Sequence, residues 1–232
     1  MNSDPPTSAA GKPLGAVLFD LDGTLVDSGP LWDEALAELV ESNGGTLGSD
    51  ILACTHGIDS TAAVALTYEA HGWRDLDVAA GVAWMQNRVI EKLMTKVPLR
   101  AGALRLLAEV RSAGIPCGLV TASYRPVVEH ILGDLGHFDV VVCGDEIDNT
   151  KPHPEPYLTA AERLNVDPVD CVAVEDSPTG IASATEAGCA VLAVPSLSES
   201  RVSSPLPEVS VEQLEQLLGG NRSRAFAKVS AV

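Results

Sequence analysis

The sequence predicts an α/β protein: a doubly wound parallel sheet with an inserted α-helical domain. Three observations carry this. Short, nearly continuous apolar runs recur along the chain, amphipathic stretches lie between them, and one long interval, from about residue 28 to 98, holds helical patterns without a strand. The apolar runs are residues 16–19, 116–120, 138–142, 171–174 and 190–194. They do not alternate with polar residues, as strands with one wet face would, so both of their faces are covered, as in a parallel sheet. The helical stretches are 102–113, 125–135, 154–164 and 179–187, and Gly114, Gly136 and Gly188 follow three of them as stop signals. Repeated strand and helix alternation gives the doubly wound arrangement.

The interval that breaks the alternation contains predicted helices at 31–41, 60–71 and 78–96, joined to the rest by linkers at 27–30 and 96–100. Inserted after the first strand, these helices overhang the carboxyl ends of the strands. The expected organisation is a disordered leader over 1–13, rich in Ser, Pro and Ala, an α/β core over 14–28 and 98–200, and a helical cap over 29–97. A C-terminal helix at 211–218 and a flexible tail complete it within 201–232, with Arg222, Arg224 and Lys228 read as solvated charges.

With 232 residues and 46% hydrophobic content, the chain buries a full core. Its net charge of −17 repels a phosphate backbone or an acidic membrane surface, so neither nucleic acid nor membrane is an expected partner. No apolar run approaches the roughly 20 residues of a membrane span. The five cysteines are odd in number and none are paired at metal-site spacing, which suits reduced thiols and a cytoplasmic location. An anionic substrate must therefore be met by local cations.

Four polar clusters begin where apolar runs stop: Asp20 and Asp22 after Phe19, Thr121 after Val120, Lys151 in the loop beyond Val142, and Glu175 with Asp176 after Val174. In an open parallel sheet the crevice outside the carboxyl ends of the strands binds ligands, so these clusters converge there. Asp20 and Asp22, spaced i, i+2 at a strand end, lie on one side of the pleat, an arrangement that is costly unless a cation or proton stands between them. Carboxylates suit Mg²⁺, and a lysine and a threonine suit the remaining oxygens of a phosphate. The expected partner is a small phosphorylated metabolite.

Asp20-Leu21-Asp22-Gly23-Thr24, Thr121, Lys151-Pro152 and Glu175-Asp176-Ser177 resemble the four ordered motifs of the haloacid dehalogenase superfamily, over about residues 15–195. The resemblance implies that Asp20 is the nucleophile, forming an aspartyl phosphate, and that Asp22 protonates the leaving oxygen and then activates water. It implies Mg²⁺ held by Asp20, the main-chain carbonyl of Asp22, and Asp176, with Glu175 direct or through water. Thr121 with the N–H groups of Ala122 and Ser123 would hold the phosphoryl oxygens at a helix start, and Lys151 would neutralise charge between Asp20 and the phosphate.

The insertion resembles the small helical cap of the β-phosphoglucomutase and sugar-phosphate phosphatase subfamily. Two departures from the mutase pattern stand out: Trp32 in place of a cap histidine, and Gly57-Ile58-Asp59-Ser60 with no arginine. Both favour a phosphatase acting on sugar or polyol phosphates over a mutase; a non-catalytic phosphate-binding regulator is a remote third reading. Trp32 is read either as substrate-binding or as cap core. His56 is read either as substrate-binding or as an exposed loop residue, and Asp145 and His153 are left to surface or supporting roles. A monomer or weak homodimer is expected.

Overall fold

The computed structural model describes residues 13–56, 58–195 and 205–219. The leader expected over 1–13 lies almost wholly outside these residues, as does the tail beyond 219.

Five strands form one parallel sheet: β1 (Ala16–Phe19), β2 (Cys117–Val120), β3 (Val140–Val142), β4 (Cys171–Glu175) and β5 (Ala190–Ala193), in the order β3-β2-β1-β4-β5. The first strand is therefore central, with Val17 opposite Cys117 on one side and Val172 on the other. Chain progression runs outward from β1 in both directions, and the carboxyl edge next to β1 is the switch point at which doubly wound sheets bind ligands. Whatever follows Phe19 is delivered to the middle of that edge.

Alternate strand residues enter two separate apolar layers. Val17, Phe19, Leu119, Val172, Val174 and Leu192 pack with Leu106, Leu107, Val110 and Val127. Ala16, Leu18, Val120, Val142, Ala173 and Val191 pack with Tyr157, Ala160, Ala161 and Ala184. The first layer is covered by α5 (Ala103–Ser112), α6 (Arg125–Leu135) and α9 (Val211–Gly219), the second by α7 (Glu155–Leu164) and α8 (Pro178–Glu186). Covering on both faces is why the strands read as unbroken apolar runs. The expected third strand starts two residues early: Asp139 turns its side chain onto the amide of Cys117 (2.8 Å), so the regular pairing begins at Val140.

Between β1 and α5 stand α1 (Gly29–Ser42), α2 (Ser49–Thr55), α3 (Ser60–Ala70) and α4 (Val78–Thr95). Helix α2 was not expected from the sequence; it spans seven residues, buries none of them and lacks a side-chain cap, so it leaves no apolar stripe to read. Asp59 and Asp77 cap α3 and α4 by accepting two amide N–H groups each. Lys92 of α4 reaches Glu34 and Glu38 of α1, and Arg88 reaches Glu38 as well. The insertion leaves and rejoins the core through paired backbone, since Val26 bridges Leu99, Asp27 N–H donates to Pro98, and Arg100 N–H donates to Leu25. It bends back over the carboxyl edge, where Thr61 Oγ1 lies 2.8 Å from the Tyr124 hydroxyl and Thr150 Oγ1 donates to Asp59. Among the described residues no helix is long and apolar enough to cross a membrane.

Two outcomes follow from this packing. Leu18→Ala, at a side chain with no exposure, should lower unfolding free energy by about 2–5 kcal/mol in denaturant titrations. Burial also raises the Cys117 thiol to about 11 and the Cys143 thiol to about 12, whereas Cys54 is exposed. A thiol reagent at pH 8 should therefore modify Cys54 rapidly and Cys117 and Cys143 only on unfolding, because the thiolate is the reacting form.

Candidate active site

Asp20 follows the buried run of β1 and is itself 5% exposed. Its Oδ1 accepts a hydrogen bond from Lys151 Nζ (2.7 Å), while its Oδ2 is buried without a hydrogen-bond partner. Burial pushes the Asp20 carboxyl well above the usual range, Glu175 pushes it further, Lys151 opposes, and Asp176 and Asp22 add to the rise. Lys151 also donates to Glu175 Oε1 (2.6 Å) and to the Val120 carbonyl (3.0 Å), so all three ammonium hydrogens are engaged. Burial alone would lower its pKa, but the Asp20 and Glu175 carboxylates outweigh that and hold it above the ordinary lysine value.

Glu175 ends β4 with no exposure. Besides Lys151, its Oε1 accepts from the Tyr157 hydroxyl (2.6 Å), and its Oε2 accepts from the Ser177 hydroxyl (3.2 Å). The opening turn of α8 presses against it so closely that a Cβ on Gly180 would fall 1.9 Å from Oε1. The Tyr157 ring also faces the ammonium of Lys151 at 5.3 Å from its centroid.

Asp22 gathers four donors. Ser28 Oγ (2.5 Å) and Trp32 Nε1 (3.0 Å) reach Oδ1; Ser123 Oγ (2.6 Å) and Thr121 Oγ1 (3.2 Å) reach Oδ2. Two come from the first linker and α1, and two from the end of β2. The turn between Asp22 and Thr24 needs glycine twice over: Gly23 has φ +82°, and a Cβ there would meet Asp176 Oδ2 at 2.3 Å.

The structure thus brings Asp20, Asp22, Thr121, Ser123, Lys151, Glu175, Asp176 and Trp32 together at one edge. Two placements differ from expectation. Helix α6 begins at Arg125, so Ala122 and Ser123 precede it instead of forming its first turn. The Ser123 N–H is taken by Thr121 Oγ1 (3.0 Å), and Ser123 enters the site through its hydroxyl. His56 closes α2 and sits exposed, with Nε2 3.2 Å from Oδ1 of Asp33, the residue after Trp32. Asp145 accepts from the Arg125 N–H, and His153 is exposed with its Nδ1 accepting from the Glu155 N–H; both are local contacts.

Ser28, Tyr157 and Arg100 belong to this surrounding and were not singled out in the sequence. Ser28 reads there as linker, Tyr157 as an apolar position of its helix, and Arg100 as a linker cation; nothing in the spacing tells where their polar atoms point.

Asp20, Glu175 and Asp176 each offer an oxygen within 4.8 Å of the others. The unpartnered Asp20 Oδ2 among them is the feature of a cation site, since a buried carboxylate oxygen without a donor is otherwise costly. An all-oxygen donor set suits a hard divalent cation.

A parallel α/β core with a helical insertion after its first strand, and a carboxyl edge where acids surround one buried ammonium, defines a class of enzyme rather than a binding module. The chain belongs to the haloacid dehalogenase-like hydrolases, whose family model matches residues 14–188. It is 36% identical to hexitol phosphatase A of Escherichia coli over 180 residues, 76% of this chain and 81% of that protein. It is 34% identical to a phosphorylated carbohydrates phosphatase of Thermotoga maritima, over 75% and 82% of the two chains. Its fold matches a β-phosphoglucomutase from Clostridium difficile with a TM-score of 0.76, over 89% of this chain and 97% of that one at 22% identity. The protein is an enzyme of the phosphatase kind.

Tyr157→Phe keeps the ring and removes a donor from a buried carboxylate. It should cost about 1.5–3 kcal/mol in unfolding free energy and lower turnover, measured by denaturation and by phosphate release.

Proposed function

We propose that this enzyme hydrolyses phosphate monoesters of small sugars or polyols with Mg²⁺, through an aspartyl phosphate on Asp20. The observation that carries the reading is Asp20 itself: one oxygen is oriented by Lys151, and the other lies without a partner inside the acid cluster. The names of the relatives, hexitol phosphatase and phosphorylated carbohydrates phosphatase, support the substrate class.

Asp20 Oδ2, a carboxylate oxygen of Asp176 and the Asp22 carbonyl would hold Mg²⁺, with Glu175 behind them. When bound, Mg²⁺ supplies positive charge to the phosphoryl oxygens and screens them from Asp20. Asp20 Oδ1 attacks phosphorus, forming the O–P bond as the bond to the leaving oxygen breaks. Asp22 gives that oxygen a proton, and the alcohol departs. Water then attacks the aspartyl phosphate while Asp22 takes its proton, which releases phosphate and restores both acids. Lys151 acts through Asp20 and Glu175, because its three hydrogens are already spent on protein oxygens.

The second reading is a phosphomutase, favoured by the shared fold with β-phosphoglucomutase. Against it stands Trp32, whose indole N–H is directed onto Asp22, where the mutase pattern has a histidine.

Phosphate release from a hexitol 6-phosphate should require Mg²⁺ and stop with a chelator; full activity after exhaustive metal removal would sink the reading. Asp20→Asn should lower kcat by several orders of magnitude without loss of fold. With a hexose 1-phosphate, phosphorus NMR should record free phosphate, and stoichiometric isomeric sugar phosphate would instead establish the mutase.

A further inference from the structure

Arg100 is the bulkiest fully buried side chain among the described residues, with 1% exposure, yet the chemistry above makes no use of it. Burial lowers its guanidinium below the usual arginine value, while Asp176 and then Asp27 oppose that fall. An arginine begins so high that it remains a cation. Its fork is spread over two main-chain carbonyls: Nη1 donates to Gly23 (2.5 Å) and Nη2 to Pro195 (2.7 Å). Its own N–H donates to the Leu25 carbonyl (2.9 Å). One residue on the linker returning from the insertion thus joins the turn after β1 to the segment after β5.

That turn abuts the acid cluster directly. Gly23 lies so near Asp176 that no Cβ fits between them, and Asp22, whose carbonyl is an expected ligand, immediately precedes it. A displacement of the Gly23 carbonyl therefore moves the Asp22 peptide and the wall against which Asp176 rests. Lysine at this place would keep the charge but reach one carbonyl, because an ammonium is a point donor and the guanidinium is a fork.

We propose that Arg100 is a positioning residue of the Mg²⁺ site, clamping the Gly23 turn against Asp176 from the returning linker and so tying cation affinity to the root of the insertion. The proposal rests on the Mg²⁺ reading above. Coupling of this kind is reciprocal: if the clamp supports the cation, the cation must also stabilise the clamp.

The test is calorimetric titration of the substrate-free protein with Mg²⁺ alone, comparing the unmutated chain with Arg100→Lys. The dissociation constant should rise about tenfold or more, the range found when supporting partners of metal ligands are removed. At saturating Mg²⁺ the substrate KM should stay within about twofold, and kcat should largely recover. An unchanged Mg²⁺ affinity with a merely lower melting temperature would overturn the proposal and leave the phosphatase reading intact; failure of the unmutated protein to bind Mg²⁺ would overturn both. Should Arg100→Lys not fold, hydrogen exchange on the unmutated protein decides. Saturation with Mg²⁺ should slow exchange of the Arg100 and Gly23 amides, whose acceptors are Leu25 and Val26, and unaltered exchange at both would refute the coupling.

Discussion

The ammonium of Lys151, buried between Asp20 and Glu175, is the interaction on which the site depends. Four carboxylates, Asp20, Asp22, Glu175 and Asp176, crowd the carboxyl edge of a sheet whose interior strands exclude water, and like charges at such distances repel strongly in a medium of low dielectric. Lys151 offsets part of that repulsion and is fixed at the same time by a third bond to the Val120 carbonyl, so the counter-charge is tied to the neighbouring strand β2. A buried pair of this kind contributes little net stability, but losing one partner strands the other without compensation. The cluster thus persists at a cost to the fold that its chemistry explains.

Topology turns this local balance into a site. Because β1 is central, the two acids that follow it meet β2 residues on one side and β4 residues on the other. Asp22 shows the consequence: core residues Thr121 and Ser123 hold one oxygen, while Ser28 and Trp32 hold the other from the insertion side. Asp22 is therefore hydrogen-bonded from both parts of the molecule. The Asp20 side chain is hydrogen-bonded to Lys151 of the core.

Most of the core was legible in the sequence because burial on both faces writes itself as uninterrupted apolar runs. Residues 125–135 and β1 were read to the residue, and the acids and Thr121 stood out because each lies at or just past the end of such a run, Lys151 lying in the loop beyond β3. What could not be read depends on direction rather than position. Helix α2 lacks a buried face, so it leaves no period. The hydroxyls of Ser28 and Tyr157 and the guanidinium of Arg100 became part of the site through side-chain orientations that tertiary packing alone sets. Ser123 was named for its amide and meets Asp22 through its hydroxyl, and His56, read as substrate-binding or as an exposed loop residue, is exposed against Asp33.

The backbone bridge between Val26 and Leu99 gives the insertion a common point of departure and return. Seen as a polymer, the strands β1 and β2 must find each other across about a hundred residues, yet the closure entropy of such a loop grows only logarithmically, about 0.6 kcal/mol for each doubling of length. The core is thus nearly indifferent to how long the roof above it is. A lineage can lengthen, shorten or exchange the roof at little thermodynamic expense. A one-residue slip in the register of β1 would instead turn both carboxylates to the opposite side of the pleat. The strand-end acids and the length of the insertion are thus under very different geometric constraints.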